Sequence, residues 1–213
     1  FLSEVGCACV KEIGYFTSAG KAVVETLEKK GVLEFFEQET FRKPYKENFK
    51  RTDPESIVLS EEQQKAFDGI SKLCEDKKGS TALLFGVTGS GKTQVFIKLI
   101  QMEIERGKQV ILMVPEISLT PQMMTKFFSY FGDSVAVVHS ALSAGERIDA
   151  WKRIASGKAR IIIGTRSAVF APAKELGLII MDEEQEQSYK SDRSPRFHAR
   201  DAAAFRSKKL GIP

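Results

Sequence analysis

Thr81-Ala82-Leu83-Leu84-Phe85-Gly86-Val87-Thr88-Gly89-Ser90-Gly91-Lys92-Thr93 runs from apolar residues through three glycines to Lys-Thr. Gly86–Thr93 matches G-x-x-x-x-G-K-[ST], a loop whose backbone cradles phosphates. Its flanks suit that reading. Thr81–Phe85 reads as a strand entering the loop, and Lys92–Arg106 as the helix leaving it. That helix carries Val95, Phe96, Leu99, Ile100 and Glu103 at helical spacing and stops at Gly107, a left-handed cap position. Glycines let the backbone approach an anion and turn its N–H groups inward, and the helix N-terminus adds the positive end of its dipole. Gly86, Thr88, Gly89, Ser90, Gly91, Lys92 and Thr93 are therefore the candidate nucleotide-binding residues, with Lys92 on the β- and γ-phosphates and the Thr93 hydroxyl on Mg²⁺.

Outward from this loop, short apolar runs alternate with amphipathic stretches. The candidate strands are Thr81–Phe85, Gln109–Val114, Val135–His139, Arg160–Ile163 and Leu178–Asp182, nearly all apolar, as expected where both sheet faces are covered. Thr120-Pro121 supplies a helix N-cap with proline at the first helical position, and Ser143-Ala144-Gly145-Glu146 is a capping box opening a helix that ends at Gly157. Such alternation requires right-handed crossovers and a parallel sheet, so residues 58–213 read as an α/β domain. Leu178-Ile179-Ile180-Met181-Asp182-Glu183-Glu184 ends a strand on carboxylates at the sheet edge where α/β ligands bind. With the phosphate loop about 90 residues upstream, Asp182 becomes the second Mg²⁺ residue and Glu183 the group that polarises an attacking water. Lys92, Asp182 and Glu183 are the candidate catalytic residues of a nucleoside triphosphate hydrolase.

Composition sets the limits. The chain has 213 residues, 42% hydrophobic and 28% charged, close to a soluble globular average. No apolar run approaches the roughly 18 residues of a membrane span. Cys7, Cys9 and Cys74 are too few for a disulfide framework or a four-cysteine zinc site, so no zinc is expected here, and a reducing, cytoplasmic setting is the default. Phe1 stands where a methionine would start a complete protein, and the chain reads as a piece of something longer. The net charge is +4, and its placement says more than its size. Residues 1–185 carry 25 basic and 25 acidic side chains, whereas residues 186–213 carry seven and three. The excess lies in one tail, where Tyr189-Lys190, Arg196-Phe197 and Arg200 interleave aromatic and basic side chains, a pattern suited to single-stranded nucleic acid.

Residues 1–40 read as a small α+β unit with a helix over Ala19–Lys30, a stop at Gly31 and a strand over Val32–Phe36; residues 41–57 read as a polar linker. Other residues carry ordinary expectations. His139 is a hydrogen-bonding histidine near the sheet edge, and Cys7 and Cys9 are small buried hydrophobes. Trp151 packs a helix onto the sheet, and Met123, Met124, Phe127, Phe128 and Phe131 form helical core.

Three further segments share the order of a motor lobe: Leu59-Ser60-Glu61-Glu62-Gln63, Val114-Pro115-Glu116-Ile117-Ser118-Leu119-Thr120-Pro121-Gln122 and Gly164-Thr165-Arg166-Ser167-Ala168. Together with Gly86–Thr93 and Asp182–Glu184 they resemble the first, RecA-like lobe of superfamily 2 helicases, and most closely the PriA family of replication-restart helicases. The resemblance covers most of residues 58–210. It implies an ATP- and Mg²⁺-dependent DNA helicase or translocase of the 3′–5′ type acting at stalled forks, with forked or junction DNA, single-stranded DNA-binding protein and other primosome proteins as partners. It implies that residues 1–40 are the trailing part of a winged-helix domain, and that Gln63, or its neighbour Gln64, reads the adenine edge. It implies DNA contacts at Pro115, Glu116, Thr120, Thr165, Arg166, Ser167, Tyr189, Lys190, Arg196 and Phe197, with the loop after the acidic motif coupling DNA contact to hydrolysis. Gln185 departs from the family's usual histidine and can neither take a proton nor carry a positive charge. A second lobe and the family's zinc cysteines are expected beyond Pro213, so this piece alone is expected to bind nucleotide weakly and hydrolyse it poorly. A RecG- or Mfd-like translocase lobe, and a non-hydrolysing nucleotide-binding module, are the alternatives.

Overall fold

The structure is a computed structural model that describes residues 2–5, 7–36, 50–76, 78–87, 89–192 and 194–213. The chain divides into two compact units, Phe1–Thr40 and Phe41–Pro213. The smaller holds helices α1 (Leu2–Val5), α2 (Val10–Thr17) and α3 (Lys21–Lys29), with Ile13 and Val24 buried. Cys9 is the N-cap of α2, its N–H donating to Glu12 Oε2 at 2.9 Å, and both Cys7 and Cys9 are exposed rather than buried. Gly31, at φ +69, closes α3, but Val32–Phe36 forms no strand. An apolar run becomes a strand only where an edge pairs with it, and among the described residues none does. The linker reading of 41–57 falls mostly outside the described residues; Pro54–Ser56 is a single 3₁₀ turn capped by the Asp53 carboxylate.

The larger unit is built on a four-stranded sheet in the order β2-β3-β1-β4, where β1 is Gln109–Met113, β2 Val135–Val138, β3 Ile161–Gly164 and β4 Leu176–Met181. Every pairing is parallel. Central β1 is buried along its whole length, as a strand paired on both edges and covered on both faces must be. Its side chains alternate between two cores. Val110, Leu112 and Val114 face α5 (Lys92–Glu105) and α6 (Pro121–Phe131), while Ile111 and Met113 face a layer containing Ile154 of α7 (Ala144–Ala155) and Ala199 of α8 (Ala199–Leu210). Helix α4 (Glu61–Asp76) lies against α5. The sheet with helices on both faces is the α/β lobe that the strand–helix alternation implies.

The caps follow the sequence reading. Thr120 Oγ1 accepts the Met123 N–H at 3.2 Å, and Ser143 and Glu146 exchange bonds at 2.9 and 3.3 Å. At the opposite end of the sheet the buried Gln109 donates to the carbonyls of Ile154 and Ala159 and accepts from the Glu175 N–H, which satisfies three backbone groups with one side chain. Met124 and Phe127 are fully buried, with Met123, Phe128 and Phe131 packed beside them. Trp151, by contrast, is 40% exposed, because Ala150 and Ile154 take the inward face of α7. No helix among the described residues is long and apolar enough to cross a membrane.

The entering strand is the main correction. Among the described residues Thr81–Phe85 pairs with no strand, and Leu83 and Phe85 are 80% and 89% exposed. Strand β4 is the edge of the sheet, and its Ile179 N–H bonds to the Pro213 carbonyl at 3.1 Å, not to this segment. The sequence has strand-forming residues at 81–85, but pairing is a non-local condition that they cannot meet alone.

Gly164 is set by close approach. A Cβ there would collide with the Val138 carbonyl oxygen and lie 2.9 Å from Ala168 Cβ. Gly164→Ala is expected to destabilise the larger unit by about 1–3 kcal/mol in urea unfolding, and an unchanged midpoint would refute this tight contact.

Candidate functional site

In a parallel sheet all strands end at the same edge, so the segments following β1, β3 and β4 gather there. These are Pro115–Thr120, Thr165–Phe170 and Asp182–Tyr189. The phosphate loop borders a cleft of about 350 Å³ lined by Gly89, Ser90, Gly91, Lys92, Thr93, Gln94, Lys126, Asp182 and Glu183. Residues some 90 positions apart in sequence thus share one space. Thr88 lies outside the described residues.

Helix α5 begins at Lys92, directly after Gly91 at φ +81. The left-handed backbone favours glycine at this position. The Lys92 ammonium donates to the carbonyls of Gly86 at 2.8 Å and Val87 at 3.3 Å, so it already sits over the loop that an anion would enter. Gln63 Nε2 donates to the Ser90 carbonyl at 2.8 Å, while its Oε1 accepts the Ser60 N–H. Gln64 instead bonds Asp68 along its own helix. Of the two glutamines, Gln63 is the one that reaches the loop.

The Asp182 N–H extends the ladder of β4 to the Met113 carbonyl at 2.9 Å. Its carboxylate accepts the Glu183 N–H at 3.1 Å. Burial first, and the Glu183 carboxylate second, hold Asp182 above the usual carboxylate range, with the Glu183 N–H and Lys92 pulling it back. Glu183 occupies the left-handed region at φ +47, unusual for a non-glycine residue. Gln185 Nε2 donates to Glu183 Oε2 at 2.7 Å, so the amide in the histidine's place orients the glutamate. Two adjacent carboxylates in a partly buried cleft, with a threonine hydroxyl and a lysine on its wall, fit a divalent cation bound with phosphates: the like-charge repulsion that raises Asp182 is what a cation relieves.

The residues expected along DNA separate into three groups. Glu116, Thr120, Ser167, Lys190 and Arg196 are exposed, and Arg166 and Phe197 half-buried. Pro115, Thr165 and Tyr189 are buried, Thr165 at 3% and Tyr189 at 1% exposure. A ring with no exposed face cannot stack on a base, so Tyr189 serves the fold. The Phe197 ring makes an edge contact with Phe170 at 5.0 Å, and Lys190–Ser191 (β5) pairs antiparallel with Phe197–His198 (β6). Arg200 pairs with Glu184 at 2.7 Å, and Arg206 binds the Val169 and Ala173 carbonyls. His198 caps α8 through Nδ1. Gln94 and Lys126 are the cleft residues that sequence reasoning missed; Gln94 directly follows the loop motif, whereas no motif marks Lys126, and only the packing of α6 brings it there.

A carboxyl raised in the folded state costs stability while ionised; the cost is full above its folded pKa and gone below the ordinary carboxyl value. Asp182→Asn is therefore expected to raise the melting temperature by about 2 °C at neutral pH, with the gain vanishing below about pH 4. A lower melting temperature at pH 7 would contradict the burial penalty.

A family model described as DEAD/DEAH box helicase matches residues 60–205. The replication restart protein PriA of Bacillus subtilis (strain 168) is 43% identical over 198 residues, which are 92% of this chain and 24% of the relative. PriA of Treponema pallidum (strain Nichols) is 46% identical over 164 residues, 77% of this chain and 24% of the relative. PriA of Chlamydia muridarum (strain MoPn / Nigg) is 41% identical over 199 residues, 93% and 26%. The chain spans about a quarter of the length of these curated relatives. With its phosphate loop and acidic turn on one edge of a parallel sheet, the chain belongs to the DEAD/DEAH box helicases and, among them, to the PriA proteins.

Proposed function

We propose that this chain contributes the ATP-binding first lobe of a DNA helicase or translocase that restarts replication at stalled forks. The observation that carries the reading is the shared cleft of Lys92, Thr93, Asp182 and Glu183. Backbone N–H groups of Gly89–Lys92 and the Lys92 ammonium hold the triphosphate of ATP. Thr93 and Asp182 hold Mg²⁺, which supplies charge neutralisation on the phosphates when bound. Glu183, aimed by Gln185, orients the attacking water and accepts its proton. Gln63, already fixed to the loop at Ser90, reads the base and reports its presence to the phosphate site.

DNA runs over the segments following β1 and β3, along Glu116, Thr120 and Ser167, with the free edge of the Arg166 guanidinium, Lys190, Arg196 and Phe197 at its side. Among the described residues Arg166, Lys190 and Arg196 have no acidic partner, whereas Arg200 is excluded by its pairing with Glu184. Residues 1–40 form the end of a winged-helix domain, and forked DNA, single-stranded DNA-binding protein and primosome proteins are the partners, in the cytoplasm. The support is the relatives' shared name and their identity to this chain.

ATP turnover of the complete protein, with and without forked DNA, tests this. Glu183→Gln is expected to lower kcat at least about 100-fold while ATP still binds, and Lys92→Ala to abolish tight ATP binding. The 213-residue chain alone is expected to turn over far more slowly than the complete protein. Persistent nucleotide binding with no stimulation by forked DNA would defeat the motor reading.

A further inference from the structure

Tyr189 lies in a polar loop sequence yet is 1% exposed, and its hydroxyl donates to the Asp182 carbonyl at 2.6 Å. Burial and the carboxylates of Asp182, Glu116 and Glu183 hold the phenol far above its ordinary range, so it stays a donor. The two carbonyls flanking Tyr189 are held in turn. Arg166 Nη1 donates to the Ser188 carbonyl at 3.3 Å and to the Lys190 carbonyl at 2.9 Å. Arg166 belongs to the segment after β3, and Asp182 ends β4. One chain of hydrogen bonds therefore joins the segment proposed to meet DNA with the acidic turn proposed to act on ATP.

The turn at the far end of that chain is a strained one. Glu183 at φ +47 is held by the Asp182 N–H bond to Met113, by the Glu186 N–H bond to the Glu183 carbonyl at 2.9 Å, and by the Tyr189 hydroxyl. A conformation that a non-glycine residue disfavours persists only where its surroundings over-determine it. Of these restraints, the Met113 bond ties the turn to the end of β1, and the tyrosine is the one that leads to the segment after β3.

We propose that Tyr189 and Arg166 are positioning residues that aim Glu183. Arg166 sets the height of residues 188–190, and Tyr189 transmits that height to the Asp182 carbonyl and so to the peptide that carries Glu183. A shift of the segment at Arg166 re-aims the glutamate without altering the phosphate loop. The inference rests on the motor reading above. Contiguity of bonds is the warrant, and coupling energies are what must be measured.

The test uses the complete protein. Tyr189→Phe keeps the buried ring and deletes only the hydroxyl. Its DNA-stimulated kcat is expected to fall at least about five-fold, with KM for ATP and Kd for forked DNA within two-fold of wild type, because binding groups are untouched. Arg166→Gln should lower kcat similarly, and the double variant should be no slower than the slower single one, since both cut the same chain. A lowered melting temperature with unchanged kcat in Tyr189→Phe, or additive losses in the double variant, would overturn the proposal. If Tyr189→Phe did not fold, Arg166→Gln carries the readout in basal kcat measured without DNA, where its own DNA contact plays no part, and an unchanged basal kcat would overturn the proposal. Should wild type show no DNA stimulation, the motor reading falls, and basal kcat in the two variants still decides whether they aim Glu183.

Discussion

Burial of β1 on both faces and both edges is the constraint on which the larger unit rests. Its five residues are wholly buried, so its register with β3 and β4 cannot slip without moving every side chain into the opposite core. Fixed register fixes the heights at which the strands end. Val114, Thr165 and Asp182 therefore follow their strands at one level, and backbone pairing brings segments distant in sequence to one edge. Gln109 at the other end secures the same strand by satisfying the carbonyls of Ile154 and Ala159.

The cleft combines two kinds of stabilisation. The phosphate loop is arranged by glycine conformations and by Lys92 lying across its carbonyls, neither of which involves a large apolar contact. The acidic turn is arranged against resistance: Asp182 ionises in a partly buried place beside another carboxylate, and Glu183 takes a backbone angle that glycine would accept more easily. Stability given up at such a point is a usual mark of function. The exposed pair Arg200–Glu184 adds little energy, but it ties up one arginine of the tail.

Much of this was legible in the sequence, and the exceptions have a common cause. The strands β1 to β4 declare themselves as continuous apolar runs, and the caps at Thr120 and Ser143 by side chains that bond within three residues. The phosphate loop and Asp182–Glu183 are equally local signals. What failed depended on partners elsewhere. Thr81–Phe85 and Val32–Phe36 have strand composition but pair with no strand among the described residues. Tyr189 sits among serine, lysine and aspartate, so its neighbours suggest a surface loop, and only the packing of the β4 end shows it buried. The basic tail looked like one charged patch; in three dimensions Arg200 and Arg206 are spent on protein groups, and Lys190 and Arg196 remain exposed.

The unpaired segment before the phosphate loop bears on how the molecule behaves in solution. Leu83 and Phe85 are large apolar side chains standing in water, a combination that natural surfaces usually cover. Self-association of this chain at high concentration would start there, within a few residues of Gly86. Any polypeptide that shields these two side chains would improve colloidal stability and, by stiffening the backbone that leads into the glycines, reduce the entropy lost when a triphosphate is gripped.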